Sequence, residues 1–286
     1  MAVAIATVFT ALPTMAATYS SASLSNFKLS LTDLDLEDGI EPTITFGFGP
    51  EIFNYSNLGV IAYDPGANSS AGDGRWVFNF SPAELTVTNT SSIASASVSG
   101  DSFASQVFQI SGNSLGSSNL NQFNYGYNSN IYDLTEYILS ANTRLNITVD
   151  AFSYIETTIG AVANEQVDSH VYLWTDGFAL IENGIFTYTD SDFAGVSLRT
   201  DYSDNIDAFK LSDLTLLSVT LDNDTVQNFY GSIRRHLRSS GASDAEITGL
   251  TYPGVAAVPV PAALPLMASA LGLFGLSRRK NKVASI

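Results

Sequence analysis

From about Thr18 to Tyr252 the chain alternates apolar and polar residues with a period of two. Leu24, Phe27, Leu29, Leu31, Leu34 and Leu36 open the pattern, and residues 85–88, 145–149, 170–174 and 214–221 repeat it. Successive side chains of a strand point to opposite faces, so such runs make strands with one buried face and little else. Clusters of turn-forming residues lie between them: Asp38-Gly39, Asp64-Pro65-Gly66, Asp73-Gly74 and Asp176-Gly177. Many short strands at this spacing predict an all-β body, a β-sandwich or jelly-roll-like fold. Residues 133–139 admit two readings. Asp133 and Glu136 can cap two turns of helix, or the segment is a strand entering a turn at Ser140-Ala141-Asn142-Thr143. The strand is the expectation.

Composition narrows the function classes. The charged fraction is 14%, against about 25% in an average globular protein, so the polar surface is built from hydroxyls and amides. All 28 acids lie between Asp33 and Glu246, whereas four of the 12 bases (Arg278, Arg279, Lys280 and Lys282) sit at the C-terminal end. The body is therefore even more acidic than the whole-chain charge of −16. Phosphate recognition needs Lys and Arg, so nucleic acid is not expected as a partner. The chain has no cysteine, which excludes disulfides, thiolate metal sites and cysteine nucleophiles.

The two ends carry the address. Residues 2–12 are apolar and lead into Pro13-Thr14-Met15-Ala16-Ala17, small residues suited to signal-peptidase cleavage after Ala16 or Ala17. Residues 1–17 are expected to be a signal peptide, 18–239 the body and 240–257 a spacer. Residues 258–286 then form an anchoring segment. In it, Val258-Pro259-Val260-Pro261-Ala262 precedes a run of apolar and small residues to Leu276, and the basic cluster Arg278-Arg279-Lys280 follows. A short apolar helix stopped by cations favours the cytoplasmic face of a membrane. Gly272 and Gly275 would let a partner helix approach closely.

This three-part tail resembles the PEP-CTERM sorting signal of Gram-negative bacteria, in its VPLPA variant. Val258, Pro259, Pro261 and Ala262 match that motif; Val260 stands where the main form has Glu and the variant has Leu. A sortase signal fits less well, because Met267-Ala268 follows Leu264-Pro265-Leu266 where Thr-Gly is required. The resemblance implies export, transient anchoring in the inner membrane, and processing by an exosortase-type enzyme. It also implies delivery to the cell surface or to an extracellular matrix of exopolysaccharide and biofilm.

Within the body, four features merit a functional reading. Asp33, Asp35, Glu37 and Asp38, ending at Gly39, have the alternating carboxylates of a calcium loop, although the spacing departs from an EF-hand. The same segment also reads as a strand with Leu34 and Leu36 buried. Tyr125, Tyr127 and Tyr132 lie in an Asn-rich stretch; with Trp76 and Trp174 they have the chemistry of sugar recognition, or else form an edge strand and loop. Arg234-Arg235-His236-Leu237-Arg238 is a basic patch that can meet anionic polysaccharide or lipid headgroups, or pair with nearby acidic loops; pairing is the expectation. Only two histidines are present, without nucleophile-elbow, zinc or phosphate-loop motifs, so no enzyme is expected. A glycosidase needs only two carboxylates, and remains the enzymatic alternative.

Overall fold

The computed structural model describes residues 17–47, 54–64, 69–89, 92–115, 126–157, 165–181, 185–200 and 210–242. They form an all-β body of two antiparallel sheets, sandwich-like in layering. The six-stranded sheet runs β12 (Lys210–Asn223), β9 (Thr143–Thr157), β1 (Ala17–Asp33), β7 (Val107–Leu115), β6 (Ser92–Ser99), β5 (Ala83–Thr88). The second runs β11 (Ile185–Arg199), β10 (Gln166–Ile181), β13 (Phe229–Ala242), β8 (Tyr127–Leu139), β3 (Asn54–Asp64), β4 (Ser69–Phe78), with β2 (Ile44–Phe46) also on β8.

The alternation does what strand geometry requires. Along β8 and β9 every odd-numbered residue is buried and nearly every even one is half-buried. The odd positions meet in one core of Leu58, Ile131, Leu139, Leu145, Ile147 and their neighbours, drawn from both sheets. Residues 133–139 belong to β8, as the strand reading expects. The turn at residues 140–143 is also present, yet it does not close a hairpin. β8 and β9 lie in different sheets, and the turn carries the chain across. Asn142 makes the corner with φ of 48°. It is tied by its backbone N–H to Thr225 O at 3.0 Å and by its amide to Asp38 Oδ2 at 2.6 Å.

Two expectations are corrected. Several strands are long, β1 spanning 17 residues and β10 16. And neither Asp73-Gly74 nor Asp176-Gly177 is a turn; they lie inside β4 and β10. Gly177 is there for packing: a Cβ would come within 3.0 Å of Leu221 and 3.2 Å of Phe229. Asp176 is buried and accepts hydrogen bonds from Ser232 N at 3.1 Å and Ser232 Oγ at 2.5 Å.

One ion pair sits wholly inside the core. Arg235 is fully buried between the rings of Phe27, Phe103 and Phe108, its guanidinium carbon 4.9–5.3 Å from their centroids. It pairs with buried Asp133 and donates to Gln106 Oε1 at 2.7 Å and to Thr135 Oγ1. Asp133 Oδ2 also accepts from Ser56 Oγ at 2.6 Å. The basic patch is thus split by strand geometry, with Arg235 and Leu237 inside and Arg234, His236 and Arg238 on the outer side.

β1 begins and β13 ends at the same end of the sandwich. Thr18 pairs with Thr157 and Gly241 with Val167, and a Cβ on Gly241 would lie 2.8 Å from Thr18 Oγ1. β13 runs to Ala242, slightly past the expected body end at residue 239. The neighbouring edges of the two sheets are latched by Thr220 N of β12, which donates to Asp192 Oδ2 of β11 at 2.7 Å. This satisfies a donor that an edge strand would otherwise offer to another chain.

Candidate functional site

The outer face of the seven-stranded sheet carries the densest set of recognition side chains. Strand register places Trp76, Asn57, Tyr132, His236 and Tyr172 directly opposite one another on β4, β3, β8, β13 and β10. Gly195 of β11 completes the row. A glycine suits that point, because a Cβ would sit 2.4 Å from the Tyr172 ring. The next row holds Phe78, Tyr55, Leu134, Arg234, Trp174 and Phe193.

Between the two rows the rings form a continuous chain. Trp76 to Tyr55 is 5.1 Å between centroids, Tyr55 to Tyr132 6.4 Å, and Tyr132 to His236 6.3 Å. His236 to Tyr172 is 6.1 Å and Tyr172 to Phe193 5.3 Å. These are contact distances for aromatic pairs, and the chain crosses all six strands from β4 to β11. Trp76, Phe78 and Phe193 are each more than half exposed, and Trp174 is 39% exposed. In the row beyond, Arg238 stands between Asn130 and His170, while Gly59, opposite Asn130, leaves open space.

Charge on this face is locally balanced, unlike the acidic body around it. Arg234 lies over Trp174 at 5.0 Å and pairs with Asp176 Oδ2 at 2.9 Å. Its partner is thus a buried strand residue, where the sequence reading expected acidic loops. His236 Nε2 donates to Asn130 Oδ1 at 3.0 Å, and His170 Nδ1 meets Ser197 Oγ at 2.7 Å. Burial lowers the proton affinity of both imidazoles. Arg238 and His170 add to the effect at His236; at His170, Asp168 opposes it while Arg238 and Arg199 reinforce it. Burial also raises the Glu136 carboxyl above its usual range.

The sequence candidates distribute unevenly over this geometry. Tyr132 and Trp76 lie on the face. Tyr127 does not, and its assignment as a sugar platform is corrected. It is fully buried, its hydroxyl 2.7 Å from Ser20 Oγ, and burial drives the phenol far above its ordinary pKa. Residues 127 and 132 differ by an odd number along one strand, so their side chains must point to opposite faces. Tyr125 lies outside the described residues, as do Val258, Pro259, Val260, Pro261 and Ala262 and the cluster Arg278, Arg279, Lys280. Trp174, also a sequence candidate, lies on the face, whereas Tyr55, Tyr172 and Phe193 were missed. The alternation His170, Tyr172, Trp174 puts three rings on one face, but which strands lie beside β10 is not written in it.

The acidic loop follows β1. Leu34 and Leu36 are exposed, so the buried-strand reading of this segment is corrected. Its carboxylates bind their own backbone. Asp33 Oδ1 accepts from Asp35 N at 2.9 Å, Asp35 Oδ1 from Glu37 N at 3.1 Å, and Asp38 Oδ1 from Ile40 N at 2.7 Å. These are turn-forming bonds, and Gly39 follows them with φ of 70°. Among the described residues no three His, Asp or Glu side chains converge as a metal-binding group.

No protein-family model, curated protein or solved structure matches this chain. The exposed rings of Trp76, Phe78, Trp174 and Phe193 can present apolar surfaces to the C–H face of a sugar, while Asn and Arg beside them can bond its hydroxyls.

Proposed function

We propose that this is an exported bacterial protein of the cell surface or extracellular matrix, whose body binds exopolysaccharide through the outer face of the seven-stranded sheet. The chain of rings from Trp76 to Phe193 carries this reading. A polymer needs an extended, shallow platform, and aromatic rings supply contact area at low conformational cost. Glycan capture is assigned to the rings.

The address rests on residues 1–17 and 258–286. In this reading the tail is a PEP-CTERM-like signal with a short transmembrane helix over residues 262–276, handled by an exosortase-type enzyme at the inner membrane. The sandwich, of jelly-roll kind, would hang from that attachment.

The binding claim is tested by retention of the purified protein on its host's exopolysaccharide. Trp76→Ala with Trp174→Ala should weaken retention about tenfold or more, since each ring contributes about 1 kcal/mol or more. Unchanged retention with an unchanged melting curve would refute the face. The address is tested by intact mass from membrane and culture fractions, with and without the exosortase candidate. Loss of the segment beyond residues 258–262 only when that enzyme is present is the expected result. A full-length C-terminus under both conditions would make the tail a plain anchor.

A further inference from the structure

The opposite side of the body has a second recess, and its chemistry differs. On the outer face of the six-stranded sheet a groove of about 370 Å³ runs across β9, β1, β7, β6 and β5. Its floor is two registered rows, Ser21–Ser111–Ser95 and Ser23–Gln109–Ser97. Serine is the reason for the depression: side chains this short leave the floor low between the taller groups at its ends. Tyr19 and Phe152 stand at one end and Glu84 at the other. Phe152 and Tyr154 lie nearly parallel, 20° between planes and 6.4 Å between centroids, so that end is a flat apolar wall. Lys210 sits over Tyr154 at 4.9 Å and holds it from the outer side.

We infer that this groove is a second glycan site, selective for neutral polysaccharide, which makes the body a bridge between two polymer chains. Each floor hydroxyl can donate once and accept twice. The Ser95 and Ser111 hydroxyls use one of these bonds on each other, at 2.7 Å. The floor thus offers dense, two-way hydrogen bonding matched to a ligand that is itself a row of hydroxyls. An apolar peptide would gain less here than a glycan, because the two floor rows are Ser and Gln side chains whose polar groups it would leave unpaired. Glu84 is the one charged side chain lining the groove, and it is negative. A polyanion would meet that carboxylate on an already acidic body. With strands about 4.8 Å apart, the five strands span roughly 19 Å, room for several linked sugar rings.

The two faces differ in charge. The seven-stranded sheet has Arg199, Arg234 and Arg238 beside the carboxylates of Asp168 and Asp176 on its outer side, and the groove has no cation among its lining residues. The groove is argued from its own geometry; the bridging role also rests on the sheet face proposed above.

Oligosaccharides released from the host's exopolysaccharide, separated by anion exchange into neutral and anionic pools, are the probes. Affinity of the full chain for each pool is measured for wild type, Phe152→Ala, Ser97→Arg, and the Trp76→Ala/Trp174→Ala pair. Both groove variants are surface substitutions, and Ser97→Arg fills the recess without removing a ring. The expected result is neutral-pool affinity about tenfold weaker in Phe152→Ala and Ser97→Arg, and unchanged in the tryptophan pair. Beads coated with intact polymer should aggregate with wild type and with none of the single-face variants. Neutral-pool binding that is absent in wild type, or equal in wild type and both groove variants, would overturn the groove. If instead the groove variants fail to bind and the tryptophan pair binds every pool normally, the groove stands and the seven-stranded face falls.

Discussion

Removing Asp133 while leaving Arg235 in place should nearly unfold this protein. The guanidinium of Arg235 has no exposure, lies against Phe27, Phe103 and Phe108, and has Asp133 as its one anionic partner. Asp133→Leu would leave Gln106 and Thr135 as neutral acceptors, with Nε already lacking one. Breaking a buried pair on one side costs about 3–5 kcal/mol. That is about two to three and a half decades in the folding constant, and a large share of the roughly 5–15 kcal/mol a domain has. Burial already outweighs the mutual attraction, since it raises the Asp133 carboxyl and lowers the proton affinity of Arg235. Replacing both partners, as Asp133→Leu with Arg235→Met, should therefore recover most of the loss or exceed wild type by about 1–4 kcal/mol.

The reverse single variant adds a pH signature. Arg235→Met leaves a buried carboxyl whose folded pKa lies above its unfolded one. Its penalty is absent below about pH 4 and grows as pH rises toward the folded value. Urea denaturation of the four proteins at two pH values measures all of this. A loss below about 1 kcal/mol for Asp133→Leu, or a loss in Arg235→Met that does not change with pH, would refute the account.

Acid should destabilise the wild type in two separate windows. His170 and His236 are held below their usual values, so the unfolded chain takes up protons first, and stability falls as pH drops below about 6.5. His236→Gln should flatten that slope of melting temperature against pH, and an identical slope would refute the assignment. Asp38 and Asp222 are held below the usual carboxylate range, Asp38 chiefly by Asn142 and Asp222 chiefly by Arg144. Their contribution is lost only at lower pH, as it falls from the unfolded carboxylate value through their folded ones. Gly112→Ala should cost about 1–3 kcal/mol or more, because its Cβ would fall 1.8 Å from the Tyr127 ring, which Ser20 already holds. A melting curve equal to wild type would show that the ring can move.

Strand alternation is a local property, and it was legible: β8 and β9 appear where the period-two runs stand, and His170 lies on a strand. Turn signals misled where tertiary packing had claimed the same residues. Asp176 and Gly177 look like a turn, yet one ties β10 to β13 through Ser232 and the other makes room for Leu221 and Phe229. Tyr132 and Trp76 were found by composition, and Tyr127 was misplaced in the same way, because composition does not record which face a residue takes. The basic patch fails likewise: two side chains of five turn inward, Leu237 into the apolar core and Arg235 into its ion pair with Asp133.

What the sequence determined by itself was the all-β class, the acidic composition, the lack of cysteine, and the residue pattern of its two ends. Each follows from counts or from spacing along the chain. Only tertiary structure decided that residues 57, 76, 132, 172 and 236 stand in one row, or that serines from β1, β6 and β7 floor one groove. Those sites are made by register between strands far apart in sequence. Register is set by which faces bury together, and no single strand carries that information.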